Sequence, residues 1–378
     1  MRPTPQQREI LRQWFGGARV VYNTALDRLR QGMEPGLRGA NLREGLTTNK
    51  NMTPGMEFLL KTPNSVRQNA IQDLVAARKA SLSNLRAGNI KRFELHPRTR
   101  KDRTETIRFD VRTCMRVGVN RRSVTLFPQL CPELGEVQCV EWIPPSTAEH
   151  RLHRDRCGSI YLIVPFELPA VVRGDTQTPR LAALDPGVRT FQTYYSVDGE
   201  AGEIGAGASE RVHGLHNTAR RLLTRVKNAP RRLGHQTCRN MRRASARYFK
   251  RADSLLGDLH YKAAKFLCER FDILYVPSFR VSQMVVKELR TINSLTTERM
   301  LALCHYKFGQ RLRYVAERYG CRLRETSEWY TSKTCGACGH CNRNLGGNKV
   351  FSCPSCDIRM DRDLNGARNN LLRGLLYH

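Results

Sequence analysis

Apolar positions change their spacing twice along the chain, and each change marks a different architecture. After Thr4-Pro5, residues Leu11, Trp14, Phe15, Ala18, Tyr22, Ala25, Leu26 and Leu29 recur every three or four positions, the period of a helix with one buried face. Thr4 offers a capping hydroxyl, Pro5 a first helical residue and Gln7 the return half of a capping box. Arg8, Arg12, Arg19 and Arg28 fall largely outside the apolar set. Residues 32–55, rich in Gly, Asn and Thr, read as a loop. A second helical run covers about 65–85, with Val66, Ala70, Leu74 and Ala77 on one side.

Near Asn89 the spacing shortens. Segments 106–111, 123–127, 137–142 and 159–166 are β-branched or aromatic and separated by turn residues, which predicts a small β-barrel. A linker is expected at 175–179. From Leu181, LAALDPGVRTF and TYYSVDG read as a strand, a tight turn and a second strand. A long helical hairpin broken near Pro230 should follow, then a helix through Leu255, Leu259, Ala263 and Phe266. The segment FDILYVPSF reads as a buried strand, 297–319 as one helix and CRLRETSEW as a last strand. Helices alternating with strands predict a mixed α/β sheet packed on both faces.

Charge narrows the partner. The 378 residues hold 64 Lys and Arg against 34 acids, a formal +30, and such a field favours a polyanion, of which nucleic acid is the obvious one. Residues 211–252 carry thirteen of these cations and no acid, and residues 98–122 carry nine, so both runs are read as phosphate-contacting. The start MRPTPQQREILRQ lacks the apolar core of a signal peptide, and no stretch approaches a membrane span. Thirteen cysteines in so long a chain are then expected in a reducing compartment, where paired CxxC spacing signals metal. The nine outside the pairs are read as mostly buried small hydrophobes.

The metal pattern lies near the C-terminus. Cys335/Cys338 and Cys353/Cys356 are two CxxC knuckles fourteen residues apart, which predicts a closed, structural zinc site. Glu328 precedes it by seven positions, and Asp361-Arg362-Asp363 begins five after it. Asp185 ends the apolar run LAAL. Taken singly, each acid has a plainer reading: Asp185 a turn, Asp361 or Asp363 a helix cap, and Glu328 a surface carboxylate with Glu325 its equal by charge. Together they fit two Mg²⁺ ions held by carboxylates from separate elements, one ion activating water and the other stabilising a leaving 3′ oxygen. Asp361 is expected nearer the cap and Asp363 facing the site. The final helix is expected to turn Leu364, Ala367, Leu371, Leu372 and Leu375 inward. Trp14 and Tyr22 are read as core rather than as base-stacking groups.

These residues, in this order, resemble Fanzor proteins, eukaryotic relatives of the transposon-encoded TnpB nucleases. PTPQQREILRQWFGGARVVYNTAL looks like the family's N-terminal helix, LAALDPGVRTF its first RuvC motif, and YTSKTC…CGHC…CPSC…DRDLNGARNN its zinc ribbon and third RuvC motif. VPSFRVSQM resembles a Fanzor segment. The resemblance implies an RNA-guided DNA endonuclease with a guide RNA and target double-stranded DNA as partners, a monomer located in the nucleus. It implies a helical recognition lobe at 1–95, a barrel (wedge) domain at 96–180 and a RuvC-type, ribonuclease-H-like domain at 181–331. A zinc ribbon at 332–358 would interrupt that domain, which ends at 359–378. Where TnpB carries its second glutamate, this chain has Pro277 and Ser278. The relocated glutamate of some relatives matches Glu328, so Asp185, Glu328 and Asp363 become the expected catalytic, magnesium-binding set. The family's strand ahead of Pro-Thr-Pro is here only Met1-Arg2, so the barrel is expected to be incomplete. A nuclease-dead guide-RNA- or DNA-binding protein and a transposase-like strand-transfer enzyme are the alternatives.

Overall fold

Thr4 caps helix α1 (Pro5–Arg30) in both directions, its hydroxyl accepting from the Gln7 N–H at 3.3 Å while its own N–H donates to Gln7 Oε1 at 3.0 Å. This comes from a computed structural model that describes residues 1–378 except 101, 103, 111–113, 173, 175–177, 231–233, 279–292, 328–329, 344, 347 and 378. The chain divides into two units, Met1–Glu167 and Leu168–His378.

In the first unit, helix α2 (Asn64–Arg86) packs on α1. Six strands follow: β1 (Glu105–Phe109), β2 (Met115–Val117), β3 (Ser123–Leu126), β4 (Glu136–Gln138), β5 (His150–Arg154) and β6 (Ile160–Ile163). They form two three-stranded antiparallel sheets, β1-β5-β6 and β2-β3-β4, where the sequence pattern pointed to one barrel. The helices and both sheets share a single core, in which fully buried Trp14 meets Phe127 edge-on at 5.2 Å. Tyr22 belongs to the same core. Met1 and Arg2 join the β-structure: the Arg2 N–H donates to Gln138 O at 2.7 Å and the Met1 ammonium to Ile160 O at 3.2 Å. The loop between the helices is fastened by Arg67, 1% exposed, which donates to Thr62 O at 3.0 Å and Leu46 O at 3.1 Å.

In the second unit, β7 (Leu181–Pro186), β8 (Gln192–Ser196) and β9 (Ala201–Ile204) form an antiparallel meander. Helices α3 (Ala208–Lys227) and α4 (His235–Arg270) form the expected hairpin around Pro230, but the separate helix expected through Leu255, Leu259, Ala263 and Phe266 is a continuation of α4. They lead to β10 (Ile273–Pro277), parallel to β7. Two helices replace the single one expected over 297–319, α5 (Ser294–Leu303) and α6 (His305–Tyr319). The break is at Cys304, in the left-handed region at φ 50°, ψ 49°, where the Leu303 carbonyl accepts from His260 Nε2 at 3.0 Å. Strand β11 (Arg322–Thr326) pairs in parallel with β10, giving the order β11-β10-β7-β8-β9. The hairpin β12 (Val350–Ser352) and β13 (Arg359–Asp361) runs directly into α7 (Arg362–Tyr377). One sheet face is covered by α4 and α6, through Leu184, Leu267 and Leu312. The other is covered by α7, through Ala183, Tyr275 and Leu371. This is the mixed, doubly covered α/β sheet that the pattern predicted.

Candidate metal and nucleic-acid site

Side chains alternate along a strand, so within β7 Ala182 and Leu184 enter the core beneath α4 and α6, while Ala183 and Asp185 face α7. The Asp185 carboxylate lies against the backbone of Gly366, where an added Cβ would fall 2.6 Å from Oδ2. Any larger residue at 366 would push the carboxylate aside. Asn370, one turn further along and fully buried, donates from Nδ2 to Leu184 O at 2.9 Å. The turn after Asp185 is fixed by a second close approach: a Cβ on Gly187 would sit 2.6 Å from Thr190 O, and 3.8 Å from Asp363 Oδ2. The turn that follows Asp185 and the first turn of α7 that carries Asp363, 178 positions apart in sequence, thereby lie against each other.

Asp361 has the other role. Its Oδ1 accepts from the Asp363 and Leu364 N–H groups at 2.8 and 3.2 Å, capping α7 where an anion complements the dipole. Lys349 pairs with Asp361 at 3.5 Å and with Glu203 at 3.3 Å, and these two acids raise its pKa. Burial raises the Asp363 pKa above the ordinary 3.8, the Asp361 charge adds to this, and Arg362, Lys349 and Arg189 oppose it. A half-buried carboxylate under like-charge pressure is the kind of group that a divalent cation relieves.

Glu328 lies outside the described residues. Glu325 does not substitute for it: with Leu323 it faces α6, pairing with Arg313 at 3.7 Å in solvent, on the opposite sheet face from Asp185. Strand β10 supplies no acid either, ending in Pro277 beside Thr326 of β11.

The surroundings of Asp185 fit a hydrated cation. Thr193 pairs with Asp185 across β7 and β8 and is 2% exposed, yet its Oγ1 has no hydrogen-bond partner among the described residues; the same holds for Asn370 Oδ1. Polar oxygens left orphaned next to a carboxylate are costly unless something binds there. Behind the turn, Phe191 is stacked between His260 and His305 at 5.0 and 5.2 Å. Burial presses both imidazoles down to about 4, so they are neutral packing groups at physiological pH. Arg311 donates to His260 Nδ1 at 2.9 Å, which fixes the tautomer that donates to Leu303.

The four ribbon thiols converge. Cys335, Cys338, Cys353 and Cys356 hold their sulfurs within 4.8 Å of one another, with pairs at 3.6 and 3.7 Å. Thiolates around zinc at 2.3 Å bonds are about 3.8 Å apart, so the donor set fits a structural zinc. No cysteine forms a disulfide. Apart from the four clustered thiols, Cys114, Cys131, Cys268 and Cys321 are buried, while the other five are half-buried, fewer in the core than expected.

The basic runs behave differently from each other. On α3 and α4, Arg211, Arg221, Arg225, Arg242, Arg243 and Arg247 are exposed. In the run at 98–122, by contrast, Arg98 is stacked on Tyr22 at 4.0 Å and paired with Asp73, and Arg108 joins Asp73 and Glu149. Those two cations are spent inside the fold.

The site thus joins a five-stranded mixed sheet, the helix α7 that covers one of its faces, and a four-thiol cluster just ahead of that helix. Residues 305–370 match the Cas12f1-like TNB domain, and residues 1–35 match a helix-turn-helix domain of the OrfB type. Among curated relatives, the putative transposase A625R of Paramecium bursaria Chlorella virus 1 is 29% identical over 99% of this chain and 85% of its own length. TnpB-like protein L770 of Acanthamoeba polyphaga mimivirus is 25% identical over 99% of this chain and 72% of its own. In fold the chain resembles Cas12f1, solved with its single-guide RNA and target DNA: TM-score 0.51, 12% identity, 97% of this chain and 83% of that one. Over nearly its whole length the chain is similar to TnpB-like proteins and putative transposases. Among the described residues no helix is long and apolar enough to cross a membrane.

Proposed function

We propose that this protein is a guide-RNA-directed, metal-dependent DNA endonuclease of transposon origin and Fanzor type, cutting at Asp185, Glu328 and Asp363. The observation that supports it most is that Asp185 lies against Gly366 of α7 while Asp363 lies beside Gly187 of the turn after β7, near a buried hydroxyl and an amide oxygen that lack partners among the described residues. Two magnesium ions between these carboxylates would supply Lewis-acid stabilisation of phosphate charge and lower the pKa of water. Asp185 is presented by a strand buried on both faces and cannot drift. Asp363 is presented by the first turn of α7, whose capping by Asp361 leaves its own carboxylate available. Arg189, Arg362 and Lys349 set the charge balance around it.

The exposed arginines of α3 and α4 would follow a nucleic-acid backbone without reading bases, and sequence choice would rest on pairing between guide RNA and target strand. The protein would act as a monomer, in the nucleus. Sequencing RNA that copurifies with it tests the guided reading: one discrete structured species is expected, whereas random cellular RNA overturns it. Cutting of matched DNA without joining of its ends separates nuclease from strand-transfer chemistry.

A further inference from the structure

Helix α7 is held on two adjoining faces, and the face beside the one on β7 is held by the zinc knuckle. Asn365 Nδ2 donates to Thr334 O at 2.8 Å, and the Gly336 N–H donates to Asn365 Oδ1 at 3.0 Å. Asn369 Nδ2 donates to Thr331 O and Thr334 O, each at 2.7 Å. Asn365 is fully buried and Asn369 is 8% exposed. Thr334 and Gly336 flank the zinc ligand Cys335, itself 1% exposed. A Cβ on Gly336 would lie 3.2–3.3 Å from atoms of Arg368, Asn369 and Asn365, so the knuckle loop lies directly on the helix. On the neighbouring helix face, Gly366 and Asn370 hold Asp185 and Leu184 O.

A buried asparagine whose amide donates to loop carbonyls costs far more when the loop moves than an apolar residue would. Apolar packing tolerates sliding, whereas paired amide bonds specify one register. The side chains at 365 and 369 read the backbone on either side of Cys335, and the same helical turns carry Asp363 and cover Asp185.

We propose that the zinc knuckle is a positional clamp on the carboxylate helix, with Asn365 and Asn369 as the positioning residues that transmit metal occupancy at the thiols to the placement of Asp363 against Asp185. The clamp concerns the fold of α7; its consequence for cleavage rests on the functional reading above. Coupling between two sites is reciprocal in binding free energy, so ordering of the carboxylate site also tightens zinc binding.

Hydrogen–deuterium exchange of residues 361–370 tests the clamp without reference to activity. Wild type is compared zinc-loaded and after stripping with a chelator, alongside Asn365→Ala/Asn369→Ala with its zinc content measured. Stripping should speed exchange in this segment at least tenfold, and the zinc-loaded double variant should already exchange at the stripped rate. Exchange unchanged by stripping, or a double variant as protected as wild type, overturns the proposal. Asn365→Asp keeps the acceptor for the Gly336 N–H but loses the donor to Thr334 O. It should exchange at an intermediate rate with the fold intact by circular dichroism, and wild-type protection there also counts against the clamp. In a cleaving preparation, the double variant should need about tenfold more Mg²⁺. Absence of cleavage by wild type would refute the functional reading while leaving the exchange result to judge the clamp.

Discussion

Replacing Gly366 with alanine separates stability from activity more cleanly than altering a carboxylate does. The new Cβ would fall 2.6 Å from Asp185 Oδ2 and 3.0 Å from its Cγ; ordinary contact begins at 3.4 Å, so the carboxylate must retreat by about 0.8 Å. It is the end of a side chain and can rotate, so the clash costs little. Alanine inside a helix contributes about 1 kcal/mol over glycine. The melting temperature of the metal-free protein should therefore hold or rise slightly. A ligand displaced on the order of 1 Å loses about 10–100-fold in metal affinity or rate. Thermal unfolding in EDTA, paired with a Mg²⁺ titration of single-turnover cleavage of guide-matched DNA, measures both. Gly374→Ala is the control on the same helix. Its Cβ would drive into the ring of Tyr275, a buried aromatic with nowhere to go, and overpacking should cost about 1–3 kcal/mol. Cleavage by Gly366→Ala at wild-type rate and Mg²⁺ demand would refute the reasoning, because Asp185 would then not be placed by the helix.

Three further outcomes are expected. Because burial raises the Asp363 pKa, its contribution to stability is present below the unfolded value and is lost as pH rises through the folded one. Metal-free Asp363→Asn should therefore melt above wild type at pH 7, with the gap closing below the ordinary 3.8; the acid limb of wild-type cleavage should lie above that value and move down as Mg²⁺ is raised. Thr193→Val removes a buried hydroxyl that lacks a partner among the described residues, so stability should hold or improve while Mg²⁺ demand rises about tenfold, read by the same titration. Arg67→Met strips Thr62 O and Leu46 O of their buried donor and should destabilise the first unit by about 2–3 kcal/mol in urea.

What the sequence carried was its periodicity. The capping box of α1, the hairpin around Pro230 and the buried strands β7 and β10 were legible because apolar spacing and turn chemistry agree there. Strand β5 was not, since HRLHR hides one buried leucine and one buried histidine among cations. The largest misreading is the face of α7. Hydrophobicity pointed Leu372 and Leu375 inward, but they are 42% and 47% exposed, while Asn365, Gly366, Asn369, Asn370 and Gly374 are buried. A helix that must lie close on a strand and tie its backbone to two neighbours uses glycines and amides, and no hydrophobic scale rewards them. A spacing of Gly and Asn at three and four positions in NGARNN was the available signal. The third carboxylate could not be chosen by charge; the strand face excludes Glu325, and the choice of Glu328 rests on resemblance.

The most direct test is Mg²⁺-dependent cleavage of guide-matched plasmid by wild type and by alanine variants at Asp185, Glu328, Asp363 and Glu325. The account predicts that the first three lose about 1,000-fold or more, while Glu325→Ala cuts like wild type. Cleavage by Asp185→Ala at the wild-type rate would contradict it.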